Sequence, residues 1–179
     1  MQATVRLSHP PSDAEIQSIE IENPSYRVER IGDALIMSPG TTGKTGNRNA
    51  RLTALLVDWG DANGYECFDS NSRWKFPAED AQLPDSVIPD SSLARVERWN
   101  AIPPDEQDRI IEFVPDIAVE LLSKSDMSAV TRAKCERMSR LGVGYVLLLN
   151  PYAPDAQMIE EWGGRPADFP TNWDAVLKR

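Results

Sequence analysis

Histidine is all but missing from this chain: of 179 residues only His9 is one, and it stands beside Pro10-Pro11 near the start. Zinc sites built on imidazoles need histidines held in the body of a fold, and so does a Ser-His-Asp triad, which removes most of the former and any well-placed example of the latter. Cysteine is nearly as scarce. Cys67 and Cys135 are the whole complement, too few for a disulfide framework, and they read as two free thiols in a reducing, cytoplasmic setting. No apolar run approaches the ~18 residues that span a bilayer. The opening MQATVRLSHPPSDAEIQ lacks a basic start followed by an apolar stretch, so no secretory signal is expected. Positive charge is in deficit: 19 Lys and Arg against 28 Asp and Glu leave a net charge of −9. That argues against a broad cationic surface for nucleic acid while leaving room for a local one.

What is present is an ordinary globular balance, 41% hydrophobic and 26% charged, in a chain long enough for one domain with its own core. Residues 1–25 are polar and proline-containing and read as a leader with a short helix near Asp13–Ile19. Arg27–Ile31 and Ala34–Met37 flank Gly32-Asp33, the pattern of two strands around a tight turn. Ser38–Gly46 reads as a loop. In Asn47–Trp59 the residues Leu52, Leu55, Leu56 and Trp59 fall at i, i+3, i+4 and i+7, one apolar helix face. Strands are expected within Glu66–Phe76 and Ser86–Ala94, and partial helix in Arg95–Glu112, started by Pro103-Pro104-Asp105. A buried strand at 117–122, a helix at Met127–Leu141 and a second apolar strand at Tyr145–Leu149 follow. Met158–Trp162 fits an edge strand, and in the irregular tail 163–179 Trp173 and Leu177 can dock on the body. The expected architecture is a mixed α/β layer fold, a central sheet flanked by helices. The domain spans 26–162, between the leader and a packing tail.

One residue breaks the pattern. Glu120 sits inside Ile117-Ala118-Val119-Glu120-Leu121-Leu122, otherwise wholly apolar. An ionised, unpaired carboxylate in a buried strand costs roughly several kcal/mol, so a metal ion, a cation or a retained proton must stabilise it. On the following helix Val130, Lys134, Met138 and Leu141 lie at i, i+4, i+8 and i+11, an apolar face with a lysine in it. Lys134 either snorkels to solvent or points at Glu120. Asp90, after Pro89, is either a turn residue or a second carboxylate beside Glu120. Asp, Glu and Lys converging in a crevice suit metal-assisted phosphodiester hydrolysis: two carboxylates hold Mg²⁺ through hard oxygens, and the lysine orients water or offsets phosphate charge.

SPGTTGKTGNRNARL (38–52), FDSNSRWKFP (68–77), IPDSS (88–92), RVERWNAIPPDEQ (95–107), VPDIAVELLSKSD (114–126) and KCERMSRLGVGYVLLLNP (134–151) occur in this order. With these pieces the stretch from Met37 to Pro151 resembles the Uma-two family of restriction endonucleases, within the PD-(D/E)xK nuclease superfamily. The resemblance implies a restriction-endonuclease-like fold and Mg²⁺-dependent cleavage of DNA, with Mn²⁺ as a possible substitute. It also implies Asp90 and Glu120 as metal-binding carboxylates and Lys134 as the lysine that in this family has moved from the strand to the next helix. Leu122 occupies the usual lysine place. Lys44 and Arg48 are candidate contacts to the nucleic-acid backbone, and a homodimer is the analogous assembly. Three departures stand out: Arg51 where the family often has glutamate, Met138 where it has tyrosine, and Asn150 where it has aspartate. They keep a second reading open, an inactive nuclease fold serving as an interaction or regulatory module, in which Arg51 pairs with Glu120. A third pattern, Ser38–Thr45, is one glycine short of a phosphate-binding P-loop.

Overall fold

The computed structural model describes residues 2–77, 83–154 and 158–178. Two five-stranded sheets and six helices make up the described chain. Tyr26–Ile31 (β2) and Ala34–Pro39 (β3) form the expected hairpin, with Gly32 at φ 59° in its turn. That left-handed conformation carries no steric penalty without a Cβ. Ala3–Arg6 (β1) adds to the outer side of β3, so residues from the expected leader complete a sheet. Asp13–Glu22 (α1) begins with a capping box between Ser12 and Glu15 and covers Val28 and Leu35 with Ile16.

The helix expected at 47–59 runs from Gly43 to Asn63 (α2). Its amide groups pair from Gly46 N–H to Thr42 C=O onward, so Gly43–Gly46 of the expected loop is already helical. It ends at Gly64, φ 75°, whose N–H bonds back to Gly60 C=O. Leu52, Leu56 and Trp59 are buried on its inner face.

The two stretches expected as strands each split. Tyr65–Phe68 (β4) and Trp74–Phe76 (β5) lie in different sheets, as do Asp85–Val87 (β6) and Ser91–Arg95 (β7). The first break is a turn closed by Asp69, whose carboxylate accepts hydrogen bonds from Asn71 N–H and the Ser72 hydroxyl. The second falls at Pro89, which has no N–H to offer a ladder. At each of these breaks the chain passes from one sheet to the other, where the sequence suggests one central sheet. The first sheet has the order β1-β3-β2-β6-β5.

The second sheet is the mixed one. Val96–Asn100 (α3) and Pro104–Gln107 (α4) lead to Ile117–Leu121 (β8), then Ser128–Arg140 (α5), Tyr145–Leu149 (β9) and Ile159–Gly163 (β10). The strand order is β10-β9-β8-β7-β4, with β8 and β9 parallel and the other pairs antiparallel. Because strand side chains alternate, β8 and β9 feed two cores. Ile117, Val119, Leu121, Tyr145, Leu147 and Leu149 face α2 and the C-terminal segment. Ala118, Leu122, Val146 and Leu148 face α5, with Cys135 and Met138. The tail docks through Phe169, Trp173 and Asp174–Leu177 (α6).

Candidate functional site

Glu120 shares its face of β8 with Ala118 and Leu122, which pack against α5. The strand alternation thus aims the one carboxylate of β8 at the helix that carries Lys134. Lys134 does not snorkel: it is 5% exposed, with Nζ 2.8 Å from Glu120 Oε1. Asp90 arrives from the neighbouring strand. β7 and β8 pair antiparallel with Ser91 opposite Val119, and one step further along that register Asp90 stands opposite Glu120. Asp90 Oδ2 accepts a hydrogen bond from Leu121 N–H at 2.8 Å. Asn49 of α2 turns its carboxamide to Asp90 Oδ1 at 3.4 Å, and Arg27 lies 3.8 Å from the same oxygen. Asp90, Glu120 and Lys134 line one cavity of about 40 Å³, room for a small ion and its water rather than a larger organic ligand.

A residue the sequence reading missed stands at its centre. Glu29 of β2 is 5% exposed and puts Oε1 2.7 Å from Lys134 Nζ. The same oxygen accepts a hydrogen bond from Ile88 N–H at 2.7 Å, and Ile88 C=O accepts one from Lys134 at 3.0 Å. In sequence, Arg27-Val28-Glu29-Arg30 resembles the charged outer side of a hairpin. The usable signal is the period of two, which sends Arg27 and Glu29 to one face of β2. On that face Glu29 meets Lys134 of α5 and Ile88 N–H, Arg27 lies beside Asp90, and both residues reach the cavity.

The cavity's charge is unbalanced. Glu29, Asp90, Glu120 and Asp126 line it against Arg27 and Lys134, a formal excess of two negative charges. Burial raises the Asp90 carboxyl above its ordinary range, against the Leu121 N–H and the Arg27 and Lys134 charges, which lower it. Burial likewise pushes Glu120 up to about 8; Lys134 opposes this, and Asp90 and Glu29 add to it. Burial works against the Lys134 ammonium too, but Glu120 and Glu29 outweigh it and hold the proton.

Among the described residues no group of three His, Cys, Asp or Glu side chains is arranged to hold a metal ion. A closed cage of protein ligands is therefore not the form this site takes. Mg²⁺ does not require one, since it keeps several waters and binds through one or two carboxylates. The donors here fit that mode. Glu120 Oε1 and Asn49 Oδ1 are two of the three buried polar side-chain atoms without a hydrogen-bond partner among the described residues. The contact of Lys134 with Glu120 is thus a close ion pair out of hydrogen-bonding alignment. Both unpartnered atoms are acceptors beside Asp90, and the excess charge of two equals that of one divalent cation.

The other expected contacts fare differently. Lys44 is exposed in the first turn of α2. Arg48 is buried: its guanidinium donates to the Tyr152 hydroxyl at 3.1 Å and to Leu177 C=O at 3.3 Å, fastening the C-terminal segment to α2. This corrects its reading as a backbone contact, because a guanidinium consumed by internal acceptors does not present itself to a phosphate. Arg51 hydrogen-bonds Asn47 Oδ1 one turn back at 3.1 Å, on an exposed face. Met138 fills the core under α5, and the Asn150 side chain accepts from Tyr152 N–H in a turn. The P-loop-like segment does not form a cradle, since Ser38 and Pro39 belong to β3 and only Gly40–Thr42 separates that strand from α2.

Residues 13–165 match a family described as "Uma2: Putative restriction endonuclease". The crystal structure of "a putative nuclease belonging to DUF820" from Anabaena variabilis is similar to this fold with a TM-score of 0.62. The similarity covers 84% of this chain and 89% of that one at 17% sequence identity. At that identity the likeness speaks for the fold. No curated protein matches the chain.

Proposed function

The chain belongs to the Uma2 family, and from that membership and the cavity of Asp90, Glu120 and Lys134 we propose that it hydrolyses DNA phosphodiester bonds with a divalent cation, Mg²⁺ or in its place Mn²⁺. The observation that carries the reading is the unbalanced cavity, in which the lining carboxylates exceed the lining cations by the charge of one such ion. Asp90 and Glu120 would hold it. When bound, the cation supplies a Lewis acid that polarises the phosphate and lowers the pKa of water.

The chain's own residues do the rest. Leu121 N–H fixes one Asp90 oxygen and leaves the other facing Asn49 and Arg27. Glu120 keeps one oxygen without a hydrogen-bond donor. Lys134, held protonated, offsets negative charge as it develops on the phosphate. Lys44, exposed in the first turn of α2, is placed to meet a backbone phosphate together with the free N–H groups of the helix start. A duplex offers two strands related by two-fold symmetry, so a homodimer belongs to the same proposal.

Titration calorimetry with Mg²⁺ and Mn²⁺, wild type beside Glu120→Gln, tests the site. Binding in the wild type, lost in the variant, followed by cation-dependent nicking of plasmid DNA, is the expected result. Cation binding with cleavage of RNA alone would move the substrate class. Absence of binding with and without DNA would overturn the reading.

A further inference from the structure

Lys134 is held from three directions. Glu120 meets it from β8, Glu29 from β2 and Ile88 C=O from the segment that joins the sheets. An ammonium has three N–H donors; Ile88 C=O accepts one, and the two carboxylates stand as ion-pair partners on the other sides. With three acceptors around it, Lys134 meets water or phosphate only after one partner has drawn back.

The three partners are not equally free to leave. Ile88 C=O is backbone. Glu29 Oε1 is itself tied to Ile88 N–H, so Glu29, Lys134 and both polar groups of Ile88 form one closed clasp. Glu120 Oε1 receives no hydrogen bond at all. Glu120 is thus the exchangeable partner and Glu29 the fixed one. The clasp also closes two residues before Asp90, which ties the lysine's position to that of the aspartate.

We propose that Glu29 is a positioning residue: it retains the Lys134 ammonium beside the cavity when the Glu120 carboxylate is engaged by a cation, and so lets one carboxylate serve two partners in turn. The inference rests on the nuclease reading for its use, but the clasp is tested without it. Glu29 is not counted among the cation's ligands, and the lysine held in place is what a substitution should disturb.

The ammonium resonance of Lys134 in ¹⁵N-labelled protein, assigned with Lys134→Arg, reads the clasp directly, because only a buried, partnered ammonium exchanges its protons slowly enough to be seen. The expected result is a signal that survives saturating Mg²⁺ in the wild type and disappears with Mg²⁺ in Glu29→Gln. On the same samples, Mg²⁺ affinity should change by less than about threefold in Glu29→Gln. kcat for plasmid nicking should fall at least about thirtyfold with KM little altered, as for an interaction used mainly in the transition state. Glu29→Asp should recover part of the rate. A Lys134 signal that persists in Glu29→Gln with Mg²⁺ bound overturns the proposal. So does a collapse of Mg²⁺ affinity, which would make Glu29 a ligand.

If the wild type neither binds the cation nor cuts, the nuclease reading fails while the clasp is still decided. Without Mg²⁺, Glu29→Gln should then loosen the Lys134 signal more than Glu120→Gln does, and the reverse order or equality overturns it. Circular dichroism controls for folding, and if Glu29→Gln does not fold, Glu29→Asp carries each comparison.

Discussion

Glu120 is the residue on which stability and cation binding meet. Its carboxyl is raised from an ordinary 4.5 to about 8, first by burial. Between those values the folded chain holds a proton that the unfolded chain has lost, so stability must fall as pH rises. The slope is at most about 1.4 kcal/mol per pH unit. The contribution is complete below the unfolded pKa and gone above the folded one. Urea melts in EDTA, run from about pH 5 to about pH 8.5, should show this decline in the wild type and a flatter profile in Glu120→Gln. Parallel profiles would mean that Glu120 ionises freely. Lys134→Met removes the ammonium that stands between Glu29 and Glu120. Breaking a buried pair in this way costs about 3–5 kcal/mol, measurable as a lowered urea midpoint with an unchanged slope against denaturant. The residue scale also shows where sequence reasoning stops. Glu120 and Lys134 stand out by their surroundings, a carboxylate or lysine among apolar neighbours, whereas Asp90, between Pro89 and Ser91, is singled out by the family resemblance. Glu29 stands in a stretch that also holds Arg27 and Arg30, and only the packing of α5 and the Ile88 segment, invisible in the local pattern, reveals that it is buried.

Among the elements, β8, α5 and β9 are legible because each carries a strong period: Tyr145–Leu149 has the bounds expected and α5 lies within a residue of them. The elements that split, β4 from β5 and β6 from β7, are short, and apolar and polar residues mix in them without a clean period. Their division depends on which sheet accepts each strand, a tertiary decision. β10 shows how an element's end is fixed by close approach. Gly163 has φ 81°, and a Cβ there would overlap the carbonyl of Gly144. Gly163→Ala therefore combines a left-handed backbone with a clash and should destabilise by more than the ~1 kcal/mol of an ordinary glycine replacement, read from thermal unfolding. On the opposite face of the sheet, Trp173 is 2% exposed and anchors the C-terminal segment beneath α2. Trp173→Ala should cost about 3–5 kcal/mol, and because Arg48 ties the same segment through Leu177 C=O, the loss should also increase proteolysis near α6.

For the whole molecule, the mixed sheet was legible in outline and the two-sheet arrangement was not. The first sheet depends on β1, drawn from residues that look like a polar leader, and on pairings between strands remote in sequence. No helix among the described residues is long and apolar enough to cross a membrane. With a net charge of −9, this surface repels nucleic acid at long range, so association with DNA should depend on bound divalent cation more than on added lysines. Thermal unfolding offers the corresponding check. Mg²⁺ should raise the melting temperature more at about pH 8 than at about pH 6, because binding must displace the proton that Glu120 keeps at the lower pH. Equal shifts would place the bound ion elsewhere.

The spread of the site over both sheets has a consequence in time. Glu29 and Ile88 belong to the first sheet and its exit, Asp90 and Glu120 to the second, and Lys134 to the helix that follows. A ribosome releases them in that order, and Lys134 comes last. Until α5 has emerged and folded back, the carboxylates have no ammonium and the clasp cannot close. The site is therefore completed by the last of its residues to be synthesised, and a chain whose α5 has not yet been made holds the carboxylates of the cavity without the lysine that stands between them.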